Sequence, residues 1–339
     1  MANIYKTYNL SSKNSFGIEA VADYFFDFET NRELVNFIRN DIAKYNPVRI
    51  IGSGCNILLS RQQIEGIIIQ SQNRTIEKIS EDTETVTLRV GAGYDWDTFV
   101  IYTLANLLYG LENLSGIPGS VGAAPVQNIG AYGAEAEQFI AVVETINLKT
   151  AETIILANKE CQFGYRSSIF KSTDYIDFFI THVQFKLSKQ PTLNTSYQAL
   201  KTHVENITNP VPADVRSAVL KIRNSKLPDY KILGNAGSFF KNPVLNNTQA
   251  KRLINTFSNI QYWEQEDGYV KFSAAWLIDQ CGFKGYSTDK GAGVYEYQPL
   301  ILVNRGHATG CAIIELAQEI IETVNEKFGV VLDPEVNIW

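Results

Sequence analysis

Short β-branched runs and segments with helical apolar spacing alternate through the first third of the chain. "VRIIGSGCNILL" (48–59) reads as a strand, a tight glycine turn and a second apolar run. "EGIIIQ" and "TVTLRVGAG" have the composition of further strands, whereas "WDTFVIYTLANLL" has the apolar spacing of a helix. The pattern predicts an α+β fold with many strands.

The stretch "GLENLSGIPGSVGAAPVQNIGAYGAE" (110–135) is dense in Gly, Ala and Pro. We expect it to pack no core of its own, yet it is neither charged nor repetitive enough to be a linker. Its glycines would let a ligand approach the backbone closely. The segment is therefore a candidate binding region.

The pattern changes after the alternating strand "FFITHVQFKL" (178–187). A polar, partly helical region with four prolines follows, which predicts a mobile excursion leading to a second lobe that begins near Lys226. That lobe contains the helix-like "KFSAAWLIDQCG", strands near "PLILVN" and the helix "CAIIELAQEIIETVNEKFG". The tail "VVLDPEVNIW" predicts one final strand, with Pro334 at an edge or a bend.

Length and charge narrow the class of protein. A chain of 339 residues predicts two or three domains. The net charge of -6 argues against a nucleic-acid binder. We see no signal peptide and no apolar run of the ~20 residues that a membrane span needs, so we expect a cytoplasmic protein. The four cysteines and three histidines are widely spaced, which favours reduced thiols and structural histidines over disulfides or a metal site.

Two glycine turns suggest phosphate binding. "GSGCN" (52–56) follows a strand and could cradle a pyrophosphate with its N–H groups, although it lacks the third glycine of the dinucleotide fingerprint. "GAG" at 91–93 is a weaker signal, and plain turns explain both. Combined with the segment 110–135, they suit a large phosphate-bearing cofactor such as a flavin dinucleotide.

"NAGSFFKNP" (235–243) places one hydroxyl, on Ser238, between a flexible glycine lead-in and two phenylalanines. One interpretation is a turn that enters a strand, with Phe239 or Phe240 in the core. The other is a serine held where a proton must be delivered.

Several motifs in this order resemble the UDP-N-acetylenolpyruvoylglucosamine reductase family. They are "GSGCN", the stretch 110–135, "CQFGYRSSIFK", "SKLPD", "GNAGSFFKNP", "SAAWLIDQCGFKG" and "LDPEVNIW". The resemblance runs from about Asn9 to the C-terminus. It is closest to the type I branch, whose substrate loop carries a tyrosine, here Tyr197.

The resemblance implies two FAD-binding subdomains of the vanillyl-alcohol oxidase type and a third α+β domain for the substrate. The implied boundaries are 1–71 with 329–339 for the first, 72–222 for the second, and 223–328 for the third, with a substrate lid at about 190–222. It also implies a monomer with noncovalent FAD that acts on the small molecules NADPH and a UDP-sugar. Hydride passes from flavin N5 to an enolpyruvyl ether, which yields UDP-N-acetylmuramate for peptidoglycan synthesis.

The catalytic roles that the resemblance implies fall on three residues. Ser238 donates the proton, Arg166 lies near the substrate carboxylate, and Glu335 assists protonation or polarises the enol. Conjugate reduction needs such groups because charge develops on the carboxylate while the neighbouring carbon takes a proton. Taken alone, they would be a turn serine, a salt-bridge arginine and an exposed tail carboxylate.

Other family positions imply substrate contacts. Tyr197 closes over the diphosphate, which Lys226 and Asn242 bind. Tyr132 and Tyr165 line the flavin and substrate pocket, and Gln298 is a further candidate. Without the resemblance, Tyr197, Lys226 and Asn242 would count as surface residues, and core packing would explain the other two tyrosines.

The implied FAD contacts come mainly from backbone groups in two segments. The residues are Gly52, Ser53, Gly54, Cys55 and Asn56, then Ile117, Pro118, Gly119, Gly122, Ala123, Gln127, Asn128 and Gly130. Cys55 stands where relatives often have serine, and the tail ends in an unusual "NIW".

Two rival functions belong to other classes. A flavin oxidase of the same fold with covalent flavin would carry a histidine in its first glycine loop, and "GSGCN" has none. A noncatalytic sugar-nucleotide binder would not need two flavin segments together with Ser238, Arg166 and Glu335.

Overall fold

The computed structural model describes residues 3–265 and 268–339. The described chain forms two compact units, one of residues 3–8, 22–53 and 65–223, the other of residues 9–21, 54–64 and 224–339. The three-domain boundaries implied by the sequence stay a prediction.

The helices and strands are numbered along the chain. The strands are β1 (Asn3–Asn9), β2 (Val21–Phe28), β3 (Val48–Ile51), β4 (Ile57–Leu58), β5 (Gln63–Ser71), β6 (Ile76–Glu81), β7 (Thr85–Gly91), β8 (Gly130–Ala131), β9 (Ala134–Glu135), β10 (Ile140–Asn147), β11 (Thr153–Ala157), β12 (Phe178–Ser188), β13 (Gly234–Ser238), β14 (Val244–Asn246), β15 (Tyr262–Glu264), β16 (Tyr269–Phe272), β17 (Ala292–Val294), β18 (Ile301–Asn304) and β19 (Asn337–Ile338). The helices are α1 (Asn31–Asn40), α2 (Trp96–Ala105), α3 (Gln198–Val204), α4 (Pro212–Lys226), α5 (Asn247–Thr256), α6 (Ala274–Gln280) and α7 (Gly310–Phe328).

The first unit contains a four-stranded sheet in the order β1-β2-β5-β3 and a five-stranded sheet in the order β11-β10-β12-β7-β6. Strand β12 pairs antiparallel with both β10 and β7. Residues 179–183 of β12 are buried without a break, whereas burial alternates from residue 184 to residue 188, where Lys186 is exposed. Helix α1 begins at a capping box made by Thr30 and Glu33.

The second unit contains three small sheets, β13-β18-β17, β14-β16-β15 and the parallel pair β19-β4. Its longest helix, α7, begins at the N-cap Thr309 and ends at Gly329, whose φ of 69° is the left-handed conformation that favours glycine. Ile313, Leu316 and Ile320 are buried along its apolar stripe. This spacing is the helical pattern that the sequence predicts.

Three predictions about local structure were wrong, one about core packing and two about the range of an element. The Gly/Ala/Pro segment 110–135 does pack into a core: Leu111, Leu114 and Val121 are buried in the cluster around the five-stranded sheet. Its short 3₁₀ turns satisfy the buried backbone groups, so a glycine-rich segment can still contribute apolar side chains.

The other two errors concern the second unit. Lys271 and Phe272 end strand β16, and helix α6 begins after them because Ser273 caps it by accepting from the Trp276 N–H. The final strand covers only Asn337–Ile338. Pro334 lacks an N–H and makes an isolated bridge with Phe240.

Candidate active site

Ser238 ends strand β13 in the second unit, opposite Ile301 of β18. The preceding Gly237 has a φ of 73°, and its N–H donates to Asn235 Oδ1 at 2.9 Å. Phe239 and Phe240 follow and are buried, whereas Ser238 is half-buried. The first sequence interpretation is confirmed in that Phe239 and Phe240 are core, whereas the delivery of a proton by Ser238 stays a prediction.

The tail that carries Glu335 runs beside this strand. The Glu335 N–H donates to Phe239 O at 2.7 Å, and the Lys241 N–H donates to Asp333 O at 2.9 Å. Asn56 Nδ2 donates to Glu335 O at 3.2 Å, and Val336 is buried. The second unit thus brings the backbone of Glu335 next to the residue that follows Ser238, and Glu335 is a docked residue instead of an exposed tail carboxylate.

Three further predicted site residues lie in the second unit. Lys226 is exposed at the end of helix α4. Asn242 is half-buried, and its Oδ1 accepts from the Ala274 N–H at 3.0 Å at the start of helix α6. Gln298 forms the turn before β18, where its carbonyl accepts from the Ile301 N–H at 3.0 Å. Because the Asn242 oxygen is engaged, its NH₂ is the group suited to a phosphate oxygen.

Arg166 lies in the first unit, at a tight turn in which Gly164 and Ser167 exchange backbone hydrogen bonds at 3.0 Å. Its φ of 53° is uncommon for a residue other than glycine. Nη2 donates to Gly130 O at 2.9 Å, and the guanidinium lies 5.4 Å from the centre of the exposed Tyr165 ring. A strained backbone that aims a charged fork in one direction is typical of functional sites.

Tyr132 and Tyr197 meet in the same unit. Their ring centres are 5.4 Å apart and the ring planes are perpendicular. Tyr132 occupies the turn between β8 and β9, whereas Tyr197 caps helix α3 and is 44% exposed. Burial raises the pKa of the Tyr132 hydroxyl, and the nearby Arg223 partly opposes that rise.

Arg223 is a candidate site residue that the sequence analysis did not identify. It is half-buried on helix α4, and its Nε would lie 3.2 Å from a Cβ added at Gly116. On the same helix, Arg216 makes two hydrogen bonds to Asp97, at 2.6 and 2.8 Å. The sequence did contain a signal for Arg223, because residues 216 and 223 are seven apart and therefore share a face of the helix.

In the first predicted FAD segment, neighbouring atoms lie close to the backbone of two glycines. A Cβ added at Gly52 would lie 2.7 Å from Ser120 Oγ and 3.2 Å from Ala123 Cβ, all within the first unit. In the second unit, Gly54 has a φ of 71°, and a Cβ there would lie 1.9 Å from Lys13 O. Only glycine suits Gly54, because both the conformation and the space exclude a side chain. Ser53, Cys55 and Asn56 complete the segment.

The second predicted FAD segment differs from residue to residue. Gly119 has a φ of 145° and no atom within 4 Å of where a Cβ would be, so its backbone can be approached. Gly122 packs on Ala92, and its N–H donates to Ala92 O at 3.0 Å. Asn128 is fully buried, and its Nδ2 donates to Glu135 Oε2 at 2.7 Å. The side chain of Asn128 thus bonds within the protein. Of the remaining predicted contacts, Ile117, Ala123, Gln127 and Gly130 are half-buried and Pro118 is exposed.

A buried polar network lies in the five-stranded sheet. Arg89 Nε and Nη2 donate to the two oxygens of Glu144 at 2.8 and 2.7 Å. Nδ1 of the buried His182 lies 3.0 Å from Arg89 Nη2, and its Nε2 lies 3.0 Å from Asn73 Nδ2. Burial and then Arg89 lower the pKa of His182 to about 4. His182 is thus a neutral structural histidine.

The described residues contain neither a membrane span of helical type nor a metal-binding cluster. None of their helices has the length and apolar character to cross a bilayer. Residues 3–265 and 268–339 contain no group of three or more His, Cys, Asp or Glu side chains that could hold a metal ion.

Comparisons with known proteins fit this arrangement. Residues 228–339 match the family model for the C-terminal domain of UDP-N-acetylenolpyruvoylglucosamine reductase, and residues 22–156 match the FAD binding domain model. The reductase of Porphyromonas gingivalis ATCC 33277 is 42% identical over 335 residues, 98% of each chain. The Flavobacterium johnsoniae reductase is 42% identical, with 99% of each chain covered. The Amoebophilus asiaticus reductase is 43% identical, with 97% of each chain covered.

A solved structure shows the same fold. The crystal structure of UDP-N-acetylenolpyruvylglucosamine reductase from Thermus caldophilus matches with a TM-score of 0.70 and 22% sequence identity, covering 100% of this chain and 99% of that one. The predictions of an α+β fold and of an FAD-containing oxidoreductase are confirmed. The chain belongs to the UDP-N-acetylenolpyruvoylglucosamine reductase family.

Proposed function

We propose that the chain uses NADPH to reduce the enolpyruvyl ether of UDP-N-acetylglucosamine to UDP-N-acetylmuramate, with Ser238 as the proton donor. The observation that carries the proposal is a contact between two segments of the chain. The chain itself belongs to the reductase family. The Glu335 N–H donates to the carbonyl of the residue after Ser238, at 2.7 Å. The backbones that carry Ser238 and Glu335 are thereby joined in one part of the chain.

The glycine segments fit FAD. Gly54 is left-handed and Gly119 has open space where a Cβ would be, and glycine turns of this kind suit anion binding by backbone N–H groups without side chains. When bound, FAD would supply the hydride-transfer chemistry that links NADPH to the substrate carbon. The residues 52–56 and the segment 117–130 would hold the cofactor.

Ser238 supplies the proton that completes the reduction. A serine hydroxyl is a weak acid, so it must be held close to the carbon and must have its proton replaced. Residue 237 turns the chain sharply before the hydroxyl, and the buried Phe239 and Phe240 anchor the chain after it. This anchoring favours a fixed hydroxyl with limited access to water. Glu335 assists protonation or polarises the developing enol.

Arg166 stabilises the charge that develops on the substrate carboxylate. An arginine guanidinium offers a planar set of cationic donors that matches a carboxylate. Nη2 of Arg166 donates to Gly130 O at 2.9 Å, which orients the plane of the guanidinium. Preorganised donors of this kind lower the barrier because they need no rearrangement during the reaction.

The remaining predicted residues bind the nucleotide. Lys226 offers a compact cation and Asn242 an amide NH₂ for the diphosphate, over which Tyr197 closes. Tyr132 and Tyr165 line the site, and Gln298 adds a polar contact. NADPH and the enolpyruvyl substrate react in turn, which predicts ping-pong kinetics and inhibition by excess substrate. We further propose a monomer in the cytoplasm.

An anaerobic stopped-flow experiment tests the proposal. The holoenzyme is mixed with NADPH and then with UDP-N-acetylenolpyruvoylglucosamine, while the oxidised-flavin absorbance band is followed. Bleaching by NADPH and rapid recovery with the substrate are expected. Bleaching without recovery would mean a different acceptor, and a protein that stays colourless with added FAD would contradict the cofactor assignment. UDP-N-acetylglucosamine, which lacks the enolpyruvyl group, is the control that must not restore the band.

A further inference from the structure

The segment that leads into helix α3 is tied to the turn that carries Tyr132. Asn194 Nδ2 donates to Gly133 O at 2.8 Å. Its Oδ1 accepts from the N–H and hydroxyl of Ser196 at 3.2 and 2.7 Å. The side chain of Asn194 therefore fixes both the turn and the residue before Tyr197.

A second asparagine joins the same two pieces of chain. Asn113 is 1% exposed, and its Nδ2 donates to Tyr132 O at 2.8 Å and to Asn194 O at 2.9 Å. A side-chain amide has two N–H donors, and both are used here on carbonyls from different segments. Because the group is buried, losing it would leave two carbonyls without this donor.

The packing around these amides is tight. A Cβ added at Gly133 would lie 2.9 Å from Ser196 Oγ, and the φ of Gly133 is 86°. Tyr132 has a φ of 51°, and its ring meets that of Tyr197 edge-on at 5.4 Å. All these residues belong to the first unit. The two amides thus join the chain segments that carry the two rings.

We propose that Asn113 and Asn194 are positioning residues that hold Tyr197 against Tyr132 and thereby set the affinity for the UDP-sugar. The inference rests on the proposed function, in which Tyr197 closes over the diphosphate. A binding loop that is held in place loses less entropy when its ligand arrives, so affinity rises without a new contact. Neither asparagine touches the reacting carbon in the proposed function, so the rate of the chemical step should be unchanged.

Steady-state kinetics of Asn194→Ala provide the first test. The variant loses three side-chain hydrogen bonds, and a loss of loop order equivalent to about one of them should raise KM for the enolpyruvyl substrate about five-fold. The kcat at saturation and the rate of flavin bleaching by NADPH should stay within about two-fold of the parent, by the same reasoning. Asn113→Asp, which keeps the shape but turns an acceptor toward both carbonyls, should act in the same direction. Asn40→Ala is the matched control, because Asn40 also donates from Nδ2 to a backbone carbonyl, that of Asn36 at 2.8 Å.

Hydrogen exchange separates a failure of this inference from a failure of the proposed function. In the free holoenzyme, Asn194→Ala should speed exchange of the amides of residues 195–201, and Asn40→Ala should not. Unchanged exchange there, or an unchanged KM in an active enzyme, would overturn the inference. Proportional losses of kcat and of flavin bleaching would also overturn it, since they indicate general damage. A parent enzyme whose reduced flavin the substrate fails to reoxidise would instead overturn the proposed function.

Discussion

The Glu335 N–H donates to Phe239 O at 2.7 Å, although the two residues are far apart in the chain. The bond lies between the strand that ends at Ser238 and a tail whose Val336 is buried. A group that acts on a reacting carbon must be held within a fraction of an ångström, which loops alone rarely achieve. We therefore expect mutations at Ser238 and Glu335 to affect chemistry more than stability.

Replacing Ser238 with alanine should separate the two half-reactions. NADPH should still bleach the flavin at the parent rate, because no proton from Ser238 is needed there. Reoxidation by the enolpyruvyl substrate should slow by at least about 100-fold, the usual contribution of a positioned acid. Stopped-flow absorbance measures both rates. Ser258→Ala, on an exposed turn in the same unit, is the control, and parent-like reoxidation of Ser238→Ala would exclude this serine as donor.

Glu335→Gln tests whether the oxidative half-reaction depends on the charge of the carboxylate or only on the shape of the side chain. The amide keeps the size of the side chain, so the backbone bond to Phe239 should survive and the melting temperature should change little. The oxidative half-reaction should slow by about ten-fold or more if the negative charge assists protonation. Asp333→Asn removes a charge from an exposed residue of the same tail and should leave that rate unchanged. Equal rates for both variants would contradict the role of Glu335.

Local pattern predicted much of this fold. The strands β5, β7 and β12 and the helices α2 and α7 lie where apolar spacing indicates them, because burial of one face or stripe leaves a readable period. The segment 110–135 shows where that reasoning ends. Leu111 and Leu114 reach the core from 3₁₀ turns, which have no periodicity to detect.

The site was predictable in residue type but not in arrangement. The sequence marked the glycines at residues 54 and 119 for close approach of a ligand to the backbone, and both have positive φ. Nothing in the local sequence indicated that Arg166, a residue with a Cβ, would adopt a φ of 53°. The pairing of Phe239 with Glu335 and the role of Asn113 depend on tertiary contacts between distant segments, which a single sequence does not reveal.

Gly54→Ala should destabilise the protein through two separable effects. Its φ of 71° costs an L-residue about 1–2 kcal/mol. The added Cβ would also lie 1.9 Å from Lys13 O, a backbone atom with little freedom to move, which should add about 1–3 kcal/mol. Urea unfolding in excess FAD measures the sum. Gly282→Ala isolates the first effect, because Gly282 has a φ of 81° and no atom within 4 Å of its Cβ position. Equal losses for the two variants would contradict the steric part.

Unfolding free energy should fall as the pH drops below about 6.5, because His182 is held neutral. Burial and Arg89 lower its pKa to about 4, whereas an unfolded histidine titrates near 6.5. The unfolded state therefore binds the proton first, and the stability that is full above about pH 6.5 is lost toward pH 4. The loss should approach about 3 kcal/mol at pH 4. Glu144 and Glu77 also face the ring and oppose the shift, but less strongly.

Urea unfolding at pH 7.5 and pH 5 would measure this loss, with His182→Gln as the test variant. Glutamine cannot take up the proton, so the difference between the two pH values should shrink by about 1–2 kcal/mol even if the variant is less stable overall. His203→Gln is the control, since His203 is exposed on helix α3. Glu144 complicates the lower end of the range: burial disfavours its charge, but the hydrogen bonds from Arg89 and Gln184 and the nearby positive charge together lower its pKa. Measurements above pH 5 keep that second titration out of the comparison. An undiminished pH dependence in His182→Gln would assign the acid sensitivity to other groups.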